Sequence, residues 1–398
     1  MKLRLLAGPR ILTAISFGLS GLAFVAANLL LARRLPAEQY ALVSLLVGVI
    51  NVGVVAAPCG MDGAVARGSV RLTRARLGSV LGAGALVAVV GACYARFAYG
   101  VRLELAVLTL VSIAAGGITL VAAARFQALH AFGRSLLYLR SQDYALLLGA
   151  AVALAFGAQQ ALVPMIAMAS AFALVAALAW RDVLRAVLPH QGESRLAWNE
   201  IGAYVSVQLA ATLLVQLERL LTPSLLTLGD MATLGVVLAL VGPPFRLMQM
   251  TVGYALQPRL RAAQSSAERR LLLVREGTLA AGAVVLASLV LWFATPLLVD
   301  LFLGGKYRVS QAVLLAALIS GALKVASGFA KAAMTALASN RELAMISLIS
   351  WIGIGIAVLG AMGGARFGLA GVIYGVASGW AIRVVAAGYY VGRQLCRA

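Results

Sequence analysis

The sequence predicts an all-α polytopic membrane protein of about 12 transmembrane helices in two pseudo-symmetric six-helix lobes. Three observations carry this. Of 398 residues, 62% are hydrophobic and only 12% are charged, with a mean hydropathy of +0.97. A soluble chain cannot hide that much apolar side chain, because large soluble chains split into domains with polar exteriors. Apolar runs of about 20 residues, the length a helix needs to cross a bilayer, recur throughout. The longest polar interval, Arg181 to Glu200, divides these runs six and six. It sets the expected lobes at residues 1–190 and 191–398.

Taken in order, the runs cover residues 11–32, 40–58, 77–95, 103–124, 133–156, 160–180, 201–227, 232–256, 272–298, 309–331, 342–362 and 367–391. The first follows a basic lead, MKLRLLAGPR, but is too long for a signal-peptide core, so it reads as an uncleaved span. A polar hinge from Arg33 to Gln39 turns it into the second. The turn Cys59-Gly60-Met61-Asp62-Gly63 then leads to Arg67. The fifth and sixth runs are split only by Gly157-Ala158-Gln159. The interval from Pro258 to Glu276 is basic and amphipathic. It reads as a loop leading into the ninth helix, with a helix lying on anionic headgroups as the alternative. The segment Leu29–Leu46 parallels Ser224–Leu240: each has a small polar turn, an acidic residue and a re-entry into apolar sequence. Weak internal repeats of this kind mark two-lobed transporters.

The net charge is +20, from 33 Lys plus Arg against 13 Asp plus Glu. Of these cations, 21 fall at the termini and in even-numbered loops and seven in odd-numbered loops. The asymmetry places both termini in the cytoplasm. It also accounts for the positive charge without nucleic acid as a partner. The loops are too short for a sizeable soluble domain, which argues against a polytopic glycosyltransferase or polymerase. Phosphate-loop, HExxH and GxSxG signatures are missing, so the chain is not expected to be an enzyme. Cys59, Cys93, Cys396, His130 and His190 are scattered and form no ligand spacing. No metal or cofactor is expected.

Five cations remain inside the spans: Arg140, Arg219, Arg246, Lys324 and Arg383. Each costs about 2.5–3.5 kcal/mol at a helix centre on the insertion scale, so each needs a partner or a water-filled cavity. Arg140 and Asp143 share a helix face and can pair, or Arg140 can line a cavity. Tyr204, Gln208, Thr212, Gln216 and Arg219 form a polar stripe on the seventh helix, suited to the wall of an aqueous cavity. Arg246 follows Pro243-Pro244, where missing N–H groups break the helical ladder. It points to a site or pairs with Glu218. Lys324 and Lys331 share a face of the tenth helix, and Lys331 and Arg383 lie close enough to the inner boundary to snorkel. Against these five, the clear span carboxylates are two, Asp143 and Glu218. Such a lining attracts an anion.

The opening hairpin carries Ala32-Arg33-Arg34-Leu35, Pro36-Ala37-Glu38-Gln39-Tyr40-Ala41 and Gly60-Met61-Asp62-Gly63-Ala64-Val65-Ala66-Arg67. In these residues it resembles the polysaccharide-transporter branch of the multidrug/oligosaccharidyl-lipid/polysaccharide (MOP) flippase superfamily, the O-antigen and exopolysaccharide flippases. Further matches are Glu218-Arg219-Leu220-Leu221, Leu228-Gly229-Asp230 with Gly235, Leu303-Gly304-Gly305-Lys306-Tyr307 and Phe367-Gly368-Leu369-Ala370-Gly371-Val372. They follow the family's order across most of the chain.

The resemblance implies a two-lobed bundle in a bacterial inner membrane, moving an undecaprenyl-pyrophosphate-linked oligosaccharide outward by alternating access. Arg219, Arg246, Arg140 and Lys324 would hold the pyrophosphate, with Arg67 at a cavity mouth. Its partners would be the lipid-linked substrate, membrane lipids and polysaccharide polymerase or ligase proteins. The alternative within the same fold is a cation-coupled small-molecule exporter, for which Asp62 and Asp143 are the candidate carboxylates.

Overall fold

The computed structural model describes residues 9–66, 70, 72–186, 198–263, 265–337 and 340–397. Among them, twelve long helices match the twelve apolar runs in order. They are α1 (Pro9–Arg34), α2 (Ala37–Ala56), α4 (Arg74–Tyr99), α5 (Leu103–Ala128), α6 (Phe132–Ala155), α7 (Leu162–Ala186), α8 (Trp198–Leu225), α9 (Leu228–Ala262), α10 (Ser266–Leu303), α11 (Gln311–Leu337), α12 (Asn340–Gly364) and α13 (Gly368–Arg397). A short helix, α3 (Met61–Ala66), follows α2, and a 3₁₀ turn, Ala365–Phe367, precedes α13. No strand occurs among the described residues.

Among the described residues, ten stretches are long and apolar enough to cross a membrane, the last spanning both α12 and α13. Helix α6 is not among them, because Arg140, Gln142 and Asp143 interrupt its apolar sequence. Large side chains stand exposed along the other helices, among them Phe97, Leu301 and Val385 at 84%, 76% and 72%. An exposed apolar surface on this scale needs lipid as its solvent.

The chain divides into two compact units, Met1–Thr212 and Leu213–Ala398. The division falls within α8. Its early residues Ile201 and Val205 join a core with Met61, Val121, Phe126 and Ala179 in the first unit. Its later residues Leu214 and Leu217 join Ala357, Ala361, Val372, Val376 and Trp380 in the second.

In the first unit α5 is the central helix, packed by α2, α3, α4, α6 and α7, while α1 lies on α6. The opening hinge is pinned at both ends. Arg34 donates to the carbonyl of Gly157, and Gln39 Oε1 accepts from the Ala161 N–H at 2.9 Å. The turn between α6 and α7 thus holds the turn between α1 and α2. Beyond α2 the chain reverses through Cys59 and Gly60, both at positive φ. A Cβ at Gly60 would stand 2.8 Å from the Ile201 carbonyl, so only glycine fits. The expected glycine turn there is followed at once by helix, α3.

In the second unit α11 is central, packed by α9, α10 and α13, and α12 with α13 forms a tight hairpin. That hairpin closes on glycines. Cβ atoms at Gly364, Gly360 and Gly379 would lie 2.2, 2.8 and 2.4 Å from the carbonyl oxygens of Gly371, Gly375 and Gly353. Small residues let helix backbones touch where lipid offers no hydrophobic drive. Helix α9 begins at a capping box, Thr227 with Asp230. That is the physical content of the small polar turn and acidic residue seen in the sequence.

The interval Pro258–Glu276 is mostly helix. Helix α9 runs to Ala262 and α10 starts at Ser266, and the expected long loop shrinks to a few residues. Leu256, Leu260 and Leu273 bury against Ala332 and Ala333, while Arg259 bridges to Glu276 at 2.6 Å. These apolar contacts and the ion pair hold the two helix ends against each other and against α11. At 38 residues α10 is about 57 Å long, well beyond the ~30 Å hydrocarbon core.

Candidate functional site

The expected site residues occupy different settings. In the second unit, α8 presents Gln216, Glu218 and Arg219, all buried, toward the core. Glu218 is fully buried, and its Oε1 accepts from Lys324 Nζ at 2.8 Å and from Ser320 Oγ at 2.7 Å. Ser320 and Lys324 are one turn apart on α11, so a single carboxylate oxygen gathers both. The other oxygen, Oε2, has no hydrogen-bond donor among the described residues. Lys324 therefore enters its helix already neutralised. The alternative partner for Glu218, Arg246, is exposed instead.

Arg219 is 5% exposed and donates from Nη1 to Gln216 Oε1 at 3.3 Å. The polar stripe on α8 grades along its length: Gln208 is exposed, Thr212 half-buried, and Gln216 and Arg219 buried. The Tyr204 side chain lies outside the described residues. Helix α9 runs unbroken through Pro243-Pro244. Each proline lacks an N–H, so the carbonyls of Ala239 and Leu240 lose their helical donors. Phe245 and Gln249 seat against Gly321 and Gly328 of α11, where a Cβ would clash at 2.4 Å in either case. That packing fixes the α9 face next to Arg246.

In the first unit, Arg140 is 6% exposed, with its guanidinium carbon 3.8 Å from the Phe17 ring centroid and Nη1 3.9 Å from Asp143 Oδ2. The pairing with Asp143 read from the spacing is thus present, and α1 adds an aromatic face. Two further hydrogen bonds tie the same unit: Tyr40 Oη donates to Asn28 Oδ1 at 3.2 Å, and Gln142 Nε2 to Asn51 Oδ1 at 3.0 Å. Asp62, in α3 beyond the end of the α2 span, is half-buried. Burial pushes its carboxyl above the ordinary value, against backbone N–H groups at Gly63 and Asp62 that act the other way. Arg67 lies outside the described residues.

Sequence reasoning missed Ser320 and the choice of Lys324 by Glu218. Spacing along one helix shows which side chains share a face, and contacts between α8 and α11 leave no such trace. No group of three or more His, Cys, Asp or Glu able to hold a metal occurs among the described residues.

At the level of sequence, no protein-family model and no curated protein matches the chain. Its fold does match solved structures. One is the lipid II flippase MurJ in an inward closed conformation, at TM-score 0.68 and 12% identity, covering 97% of this chain and 89% of that one. A second is the MATE multidrug transporter DinF-BH, at 0.61 and 16%, covering 96% and 94%. A third is an inward-facing multidrug resistance MATE family transporter of the MOP superfamily, at 0.58 and 14%, covering 96% and 98%. The chain has the fold these transporters share, the one the opening hairpin resembled.

Proposed function

We propose that the chain is a flippase that carries a lipid-linked oligosaccharide, on undecaprenyl pyrophosphate, across the bacterial inner membrane by alternating access, with both termini cytoplasmic. It serves O-antigen, capsule or exopolysaccharide synthesis and acts as a transporter, not an enzyme. The observation that carries the reading is the imbalance of charge: five cations inside the spans expected from sequence against two carboxylates. Lys324 takes Glu218 and Arg140 takes Asp143, so the carboxylates are committed. A positive surplus in a low-dielectric setting favours a pyrophosphate. Likeness to a structure named as a lipid II flippase supports a lipid-linked substrate. In this reading Arg219 and Arg246 hold the pyrophosphate, and Arg140, Lys324 and Arg67 are further candidate cations for it. Polymerase or ligase proteins would receive the flipped product.

The test is the sidedness of lipid-linked glycan in a deletion strain. Cytoplasmic-face accumulation, cleared by restoring the gene, is the expected result. Unchanged surface polysaccharide with no accumulation would overturn the reading.

The second reading is a cation-coupled exporter of small molecules. Likeness to MATE transporters and the half-buried Asp62, whose carboxyl is shifted toward the protonated form, favour it. Under it, Asp62→Asn abolishes drug efflux and leaves surface polysaccharide intact.

A further inference from the structure

The second unit contains a cavity that the proposed transport site does not use. It is lined by Lys331 and Ser327 of α11, Ser350 of α12 and Arg383 of α13, with Ile349 and Ala387 among its apolar lining. No carboxylate is among its described lining residues. The sequence alone gave both cations a bland role, snorkelling to the interface. The structure gives them unequal ones. Lys331 is exposed, whereas Arg383 is 6% exposed, with Nη1 buried and without a hydrogen-bond acceptor among the described residues.

A buried guanidinium N–H with no acceptor costs the full desolvation of that group. The fold nevertheless holds it in place. The guanidinium carbon sits 5.1 Å from the centroid of the Trp380 ring, one turn back on α13. The arginine stem lies along Gly353 of α12, where a Cβ would meet its Cγ at 3.4 Å. An aromatic face and a bare glycine backbone thus pre-set the arginine for an acceptor that no described residue supplies.

Position narrows the acceptor further. Lys331 closes the apolar run 309–331, six residues before α11 ends at Leu337, about 9 Å along the helix. Ala330 and Met334 pack with Ala387, Tyr390 and Val391, so the C-terminal parts of α11 and α13 lie together. The cavity therefore sits at one end of the spans, the depth at which phosphate groups of lipid are found. Two cations and two hydroxyls form a donor-rich set suited to a multiply charged oxyanion, and arginine matches phosphate oxygens with paired N–H groups.

We propose that this cavity binds a phosphate group, with Arg383 as the deep anchor, Lys331 at the open mouth, and the Ser327 and Ser350 hydroxyls as side donors. The phosphate comes either from the headgroup of an anionic membrane lipid or from a soluble phosphate species. The assignment stands apart from the transport reading, because equilibrium binding is read whether the chain flips a glycolipid or exports a small molecule.

Native mass spectrometry and equilibrium titration of the full chain in detergent test it, with phosphatidylglycerol and inorganic pyrophosphate as separate probes. The expected result is one equivalent of one probe bound, weakened about tenfold in Arg383→Gln and in Lys331→Gln, as loss of one charge-assisted hydrogen bond would give. Arg383→Lys keeps the charge and retains more binding than Arg383→Gln. Binding of phosphatidylglycerol alone assigns the lipid source, and binding of pyrophosphate alone assigns the soluble one. If Arg383→Gln fails to fold, Lys331→Gln, at the open mouth, carries the test. Equal binding by the native chain and Lys331→Gln, or binding of neither probe, overturns the proposal.

Discussion

Lys324 Nζ lies 2.8 Å from Glu218 Oε1, joining the middle of α11 to α8 inside the second unit. Ser320 Oγ meets the same oxygen from one turn earlier, at 2.7 Å. A fully buried carboxylate cannot stay ionised without such partners. Lys324→Ala leaves Glu218 buried and uncompensated, and should destabilise the second unit by about 3–5 kcal/mol. Lys324→Met with Glu218→Gln together should recover most of that loss, since no charge is then stranded. Thermal unfolding of the single and double variants in detergent checks both. A double variant no more stable than Lys324→Ala would show that the pair is not the origin of the effect.

The α12–α13 hairpin makes a sharper steric prediction. A Cβ on Gly364 would stand 2.2 Å from the Gly371 carbonyl oxygen, and backbone cannot yield as a flexible side chain does. Gly364→Ala should cost about 1–3 kcal/mol through overpacking. Gly363→Ala, one residue earlier with open space at its Cβ, should be near neutral. The folded yield of the two variants by size-exclusion chromatography separates them.

Tyr40 anchors the opening hairpin. It is fully buried and its hydroxyl donates to Asn28 Oδ1 across the α1–α2 turn. Tyr40→Phe keeps the ring and removes only the donor, at a cost of about 1–3 kcal/mol for the unsatisfied amide oxygen. Tyr40→Ala adds a cavity, at about 3–5 kcal/mol. Unfolding midpoints should fall in that order.

These residues also mark what the sequence made legible. Twelve helices follow from apolar run length, because lipid imposes a length that a soluble fold does not. The pairing of Arg140 with Asp143 follows from i,i+3 spacing, which is local. The partner of Glu218 does not, because it depends on which face of α11 meets α8. The straightening of Pro258–Glu276 into two helices was hidden for a similar reason. Its basic residues look like a loop, and only burial of Leu256, Leu260 and Leu273 on α11 makes it helix. Arg383 reads as a snorkelling residue until Trp380 and Gly353 are seen to hold it inward.

Asp62 should give stability a pH signature. Its folded-state value is raised above the ordinary 3.8 by burial, so the native state holds the proton more tightly than the unfolded chain does. By linkage, its contribution is most favourable below the unfolded value and is lost as pH rises through the raised folded value. Asp62→Asn removes the penalty. The variant should be more stable than the native chain at neutral pH, with the two curves converging as pH falls toward 3.8. Unfolding midpoints across that range check the sign. A neutral-pH loss of stability in Asp62→Asn would mean that the carboxylate is used charged.

Arg219 is where stability and transport can be told apart. It is 5% exposed and hydrogen-bonded to Gln216, so its removal disturbs packing as well as charge. Arg219→Ala should cut surface polysaccharide at least about tenfold while membrane protein level stays within about twofold, because a lost anion contact acts on binding and a single polar truncation rarely unfolds a chain this size. Arg219→Lys keeps the charge but not the forked donor geometry, and should retain intermediate export. A stepped series from Arg through Lys to Ala at constant protein level would tie export to the cation. Normal export in Arg219→Ala would remove Arg219 from the substrate path and leave Arg246 as the remaining candidate for the pyrophosphate anchor.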